Sequence, residues 1–191
     1  MNKTKTIVGV GVLTAITAAL QVLSMNVRFG VFSITLSLIA IVVGASVYGW
    51  KAGAWLGFVF GCITLTDAAA FFAVNIPGTV LTCLLKGTLA GLCAGLVYKA
   101  LESKNRHVAV VAAAITCPVV NTGVFLLGSS VFFLDTLRGW GAAAGFDNVF
   151  SFMIIGLVGT NFLVELGVNL VLSSAVVTVL NAVNPAKKAA V

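Results

Sequence analysis

The sequence predicts an all-α integral membrane protein, a compact bundle of six transmembrane helices with both termini cytoplasmic. Three observations carry this reading. Of 191 residues, 60% are hydrophobic and only 8% are charged, against roughly 25% charged in a soluble domain. The mean hydropathy is +1.15. Six apolar stretches are each long enough to cross a bilayer, which takes about 20 residues. Such a chain covers itself in lipid and not in water, and little is left over for a soluble domain. Residues 1–191 read as a single six-helix domain.

The spans fall at 6–25, 31–49, 52–72, 78–100, 108–134 and 149–181. The first has no small-residue cleavage site and reads as a span, not a signal peptide. "NVRFG" separates it from the second, and "YGWK" the second from the third. "NIPG" divides three from four and "LESKNRH" four from five. "DTLRGWGAAAGFDN" divides five from six. The last two spans are long enough to tilt or to include a short piece outside the membrane. An even number of spans puts both termini on one side. That side holds eight of the eleven Lys and Arg: Lys3, Lys5, Lys51, Lys99, Lys104, Arg106, Lys187 and Lys188. The other side holds Arg28 and Arg138, and Lys86 lies within a span. Positive residues mark the cytoplasm, so the net charge of +6 is an orientation signal. Its scatter over four short segments does not suit nucleic acid.

Small residues recur at four-residue spacing on three spans. These are Gly11, Ala15 and Ala19, then Gly53, Gly57 and Gly61, then Gly87, Gly91 and Gly95. Such a face lets another backbone approach closely. On spans three and four it predicts packing inside the bundle. On span one it is also suited to another subunit. The four cysteines, Cys62, Cys83, Cys93 and Cys117, lie in apolar segments without a CxxC pair and read as small core residues.

Polar residues inside spans are expensive and mark sites or pathways by default. Span six has Asn161, Glu165 and Asn169 at spacing four, so they share a face. Span five has Asn121 and Thr122 just after Pro118, which removes a backbone donor and disturbs the helix. Span three ends with Thr64, Thr66 and Asp67, and span four has Thr79, Thr82 and Lys86. Span four enters from outside, which places Lys86 roughly 12 Å deep at about 1.5 Å per residue. The set converges on the outer half of the membrane. Two readings stand. In one, Lys86 and Glu165 form a structural ion pair and the asparagines tie helices together. In the other, a pocket opens outward and Lys86 offers a cation to a ligand. The candidate substrate-binding residues are Lys86, Asn121, Asn161, Glu165, Asn75, Asp67, Thr82 and Trp140.

No GxxxxGK[ST] is present, so no nucleotide is hydrolysed through a P-loop. The single histidine, His107, lies in a basic loop, which disfavours HExxH zinc chemistry. No nucleophile–base set is visible. No cofactor and no metal are expected, and the reading is not an enzyme.

Six short spans in 191 residues and the small-residue face in "GVLTAITAAL" resemble the substrate-binding S components of energy-coupling factor (ECF) transporters. "SLIAIVVGASVYGWKAGAWLGFVFG", "LLKGTLAGLCAGLVYK" and "PVVNTGVFLLG" look like stretches of the vitamin-transporting members. The resemblance covers nearly the whole chain. It implies capture of a water-soluble vitamin from outside the plasma membrane of a bacterium, powered by a separate coupling membrane protein and two cytosolic ATPases. The family's AxxxA motif, which docks on the coupling protein, maps onto Ala15 and Ala19, with Gly11 one turn before. The implied outer lid falls on loops 26–30, 73–78 and 135–148. "PVVNTGVFLLG" looks most like pantothenate-type members. Riboflavin follows, with Phe29, Phe71, Phe72, Phe146 and Trp140 as stacking partners. The competing classes are a stand-alone ion-coupled carrier and an intramembrane enzyme.

Overall fold

A computed structural model describes residues 3–26, 28–29, 32–33 and 35–183. The expectations placed on the side chains of Arg28 and Phe29, and on Lys187 and Lys188, lie outside the described residues. The regular structure of the described residues is helical apart from one two-residue antiparallel pairing, β1 (Arg28–Phe29) with β2 (Phe32–Ser33). Helix α1 spans Lys3–Asn26, α2 Ser37–Tyr48 and α3 Trp50–Thr64. A 3-10 turn, Leu65–Asp67, leads into the short α4, Ala69–Phe72. Then come α5 (Ile76–Leu101), α6 (Arg106–Phe132) and α7 (Leu134–Ala143). The last stretch starts with α8 (Val149–Ser151), passes through a π-helical segment (Phe152–Gly159) and continues as α9 (Thr160–Val183).

Among the described residues, four helical stretches are long and apolar enough to cross a membrane: Lys3–Asn26, Ile76–Leu101, Arg106–Phe132 and Val149–Ala182. The second and third expected spans are shorter than the sequence suggests. α2 has 12 residues and α3 has 15, or about 18 and 22 Å at 1.5 Å per residue. The stretch assigned to span two becomes helical only at Ser37, because β1 and β2 occupy residues 28–29 and 32–33. Between α2 and α3, Gly49 takes φ 91°, a backbone conformation open to glycine and costly for other residues. The lid loop expected over 135–148 is mostly helix α7, started by Phe133 and closed by Gly145 at φ 81°.

Asparagine begins three helices by the same means. Asn75 accepts from Gly78 N (2.8 Å), Asn105 from Val108 N (3.1 Å) and Asn148 from Phe150 N (2.8 Å). Each satisfies a backbone donor that the first turn leaves open. Pro77 in the first turn of α5 needs no donor there.

α3 and α5 pack antiparallel along their glycine faces. A Cβ at Gly57 or Gly91 would collide with the carbonyl oxygen of Gly87 or Gly53, and one at Gly61 would lie 2.6 Å from Cys83 O. The interior reading of these two small-residue faces therefore holds. α5 also packs against α6, and α6 against α9. The main core collects Leu38, Ile41, Leu56, Phe60, Ala90, Ala113, Cys117 and Leu180. Cys83 and Cys117 are buried as expected, Cys93 is half-buried and Cys62 is exposed. α1 buries the least of the four long helices. Gly11, Ala15 and Ala19 are exposed on it, and a Cβ at Gly11 would meet nothing within 4 Å.

Candidate substrate cavity

The C-terminal turns of α1 and α3, the first half of α5, the second half of α6 and the start of α9 surround a cavity of about 290 Å³. Local sequence explains why each wall faces it. On α5 the glycine face is committed to α3, so Lys86, one residue before Gly87, stands at the edge of that contact. On α6, Pro118 cannot donate to the carbonyl one turn before it. Asn121, Thr122 and Phe125 follow in the next turns and line the cavity. On the last stretch, the π-helical turns give way to α9 where Leu157, Val158, Asn161 and Glu165 enter the wall. Such wide turns recur at functional sites in other helices.

Lys86 is half-buried. Its Nζ lies 5.7 Å from the centroid of Phe60 and 5.2 Å from that of Phe125. These are cation–π distances. Among the described residues it makes no hydrogen bond and no ion pair, unlike Arg138, which pairs with Asp135 at 2.8 Å on the surface. The structural Lys86–Glu165 pair, one of the two sequence readings, is thus not formed as a contact. Glu165 and Asp67 act on Lys86 through space, from the walls of the same cavity. Glu165 is buried, and its carboxylate accepts a hydrogen bond from the Thr35 hydroxyl. Its backbone carbonyl accepts from Asn169 Nδ2 at 2.9 Å.

Asn121 and Asn161 each leave a buried amide oxygen without a hydrogen bond. Buried polar atoms are satisfied in the great majority of cases, so two orphans in one cavity wall are a request for a donor. Aromatic rings supply the rest: Phe60, Phe71, Phe125 and Phe162 line the cavity. Phe71 meets Phe125 edge-on at 5.9 Å and Trp140 of α7 at 5.6 Å.

Of the residues singled out from sequence, Lys86, Asn121, Asn161, Glu165 and Asp67 meet around this cavity. Three do not line it. Asn75 caps α5. Thr82 is buried between α5 and α6, where a Cβ on Gly128 would strike it, and its hydroxyl lacks a partner. Trp140 stands behind Phe71. Sequence reasoning missed Gln21, Ser24, Thr35, Phe60, Phe125 and Phe162. Gln21 and Ser24 were legible as polar residues in the last turns of an apolar helix. There Ser37 Oγ donates to Gln21 Oε1 at 2.7 Å, and Leu36 N donates to Ser24 Oγ at 3.2 Å. Both bonds tie α1 to the start of α2.

No curated protein matches the chain. The family model for the ECF transporter substrate-specific component matches residues 5–180. That match takes in every helix bordering the cavity except the outermost turns, and the apolar helices make the chain a membrane transport subunit. The chain belongs to the family of substrate-specific components of ECF transporters.

Proposed function

We infer that this chain captures an anionic, hydroxylated vitamin from outside the cell in the cavity around Lys86, with pantothenate the first candidate. The observation that carries the reading is a Lys86 ammonium that, among the described residues, has no ion pair, beside the amide oxygens of Asn121 and Asn161, which have no hydrogen bond there. A carboxylate would receive a charge-assisted hydrogen bond from Lys86, and ligand hydroxyls would donate to the two amides. The volume, about 290 Å³, stands at the lower end of small-molecule sites, which run from roughly 300 to 1,000 Å³. One observation favours a second reading. Four phenylalanines in the wall offer faces to a flat heteroaromatic ligand such as riboflavin.

In this proposal the chain crosses the membrane six times with both termini cytoplasmic. α2 and α3 are the short crossings, and α3 is extended by the 3-10 turn and α4. Asp67, Glu165 and Thr35 set the electrostatics around Lys86. α7 covers the cavity, with Trp140 bracing Phe71. The exposed Gly11–Ala15–Ala19 face of α1 docks on the coupling membrane protein, to which two cytosolic ATPases supply the energy. Two features support that docking face: the exposure of its small residues and the resemblance of "GVLTAITAAL" to the family's docking helix.

The test is calorimetric titration of the purified chain with pantothenate and with riboflavin, together with mass spectrometry of any ligand it retains. Tight binding of pantothenate by wild type, lost in Lys86→Ala, supports the first candidate. Tight riboflavin binding that survives Lys86→Ala selects the second. Vitamin uptake by proteoliposomes holding this chain alone, without ATP, would replace both with a stand-alone carrier.

A further inference from the structure

At the opposite end of the bundle, α2, α5, α6 and α9 leave a second cavity of about 220 Å³. It is smaller than the roughly 300–1,000 Å³ of drug-sized sites. Arg106, Ser46, Tyr48, Tyr98, Lys99 and Glu102 contribute its polar lining. Arg106, the first residue of α6, is 7% exposed. A guanidinium has five N–H donors, yet the hydrogen bond Arg106 makes among the described residues is one, to Asn181 Oδ1 at 2.7 Å. Ser46 is 8% exposed, and its hydroxyl has no partner. Lys99 is exposed at the rim. Two cations thus face one carboxylate, Glu102.

Burying a guanidinium with most of its donors unused is costly, and so is burying an unpartnered hydroxyl. Both costs fall away if one anion sits between them. The N-terminus of α6 adds its own positive field at this place. We propose that this cavity binds a phosphate group, held by the Arg106 fork and the Ser46 hydroxyl, with Lys99 at the entrance. A planar fork suits two phosphate oxygens. The source is either free phosphate or the headgroup of an anionic phospholipid, since basic pockets between membrane helices receive lipid headgroups. The site stands apart from the Lys86 cavity and does not depend on the ligand bound there.

The test uses the full chain in an uncharged detergent and in phosphatidylcholine nanodiscs. The first arm titrates sodium phosphate at constant ionic strength, with chloride as control. The second replaces part of the phosphatidylcholine with phosphatidylglycerol. Thermal unfolding is the readout. At least one arm should raise the unfolding temperature of wild type. A gain with phosphate alone identifies the free ion, a gain with lipid alone identifies the headgroup, and either supports the site. Ser46→Ala should weaken the apparent affinity about 3- to 10-fold, the scale of one neutral hydrogen bond. Arg106→Lys, which keeps the charge and loses the fork, should weaken it about 10-fold. Lys86→Ala should leave it unchanged. If Arg106→Lys fails to fold, or if the two variants disagree, Ser46→Ala decides. It removes a hydroxyl that makes no bond and so keeps the fold. No stabilisation of wild type in either arm, or a Ser46→Ala titration equal to wild type, overturns the proposal.

Discussion

The ammonium of Lys86 lies 5.2 Å from the centroid of the Phe125 ring and forms no ion pair with Glu165. A membrane-embedded lysine held by ring faces and by carboxylates that act only through space is under-satisfied. That makes its removal cheap for folding and expensive for binding. Lys86→Ala should cost about 1.5–3 kcal/mol of ligand affinity, the range of a charge-assisted hydrogen bond. The unfolding temperature should hold or rise. The double variant Lys86→Met/Glu165→Leu should fold and still fail to bind. Wild-type affinity in a stable double variant would assign Lys86 no part in binding.

Gly57 and Gly87 bring α3 and α5 to backbone contact, and an added Cβ on either would overlap the other's carbonyl. Gly57→Ala should lower stability by about 1–3 kcal/mol, the usual cost of overpacking. Gly11→Ala, with open space around it, should be neutral. Unfolding in detergent with a mild denaturant reads both. Equal midpoints for the two variants would contradict the close α3–α5 packing.

Ala15 and Ala19 are exposed on the least buried long helix. Ala15→Trp/Ala19→Trp should abolish ATP-driven uptake by the assembled transporter through a clash at a close helix contact. Ligand affinity of the isolated chain should not change, because neither residue lines the cavity. Normal uptake in a stably inserted double variant would move the docking surface elsewhere.

Trp140 reaches the cavity only through Phe71, 5.6 Å away. Trp140→Ala should speed ligand dissociation about 2- to 10-fold, in line with the roughly 0.5–1.5 kcal/mol of an aromatic pair. Stopped-flow chase measures it. Protease cleavage within 135–148 should slow when ligand saturates the site. Equal cleavage with and without ligand would make α7 a plain connector.

Asn75 acts as a cap in this structure. Asn75→Ala should therefore cost about 1 kcal/mol of stability, and Asn75→Asp should restore it. Affinity should stay at wild type in both. A selective loss of affinity with unchanged stability would return Asn75 to the ligand.

The sequence by itself determined the membrane class and the four long apolar helices, because mean hydropathy and length are properties of a chain before it folds. It also determined the glycine faces. Spacing by four places Gly53, Gly57 and Gly61 on one side of any helix, whatever that helix meets. Lys86, Asn121, Asn161, Glu165 and Asp67 were legible as a set because a polar group in an apolar span is rare and costly. Tertiary structure alone decided the rest. Phe60, Phe125 and Phe162 are three of 13 phenylalanines, and a phenylalanine reads the same whether it faces lipid, core or cavity. Nor does spacing reveal that Thr35, and not Lys86, bonds the Glu165 carboxylate. That choice depends on where the segment before α2 meets α9, more than a hundred positions along the chain, and only packing in three dimensions sets it. The shortness of α2 has the same origin: residues 31–36 are apolar enough to join a span, and the fold spends part of them on pairing with β1.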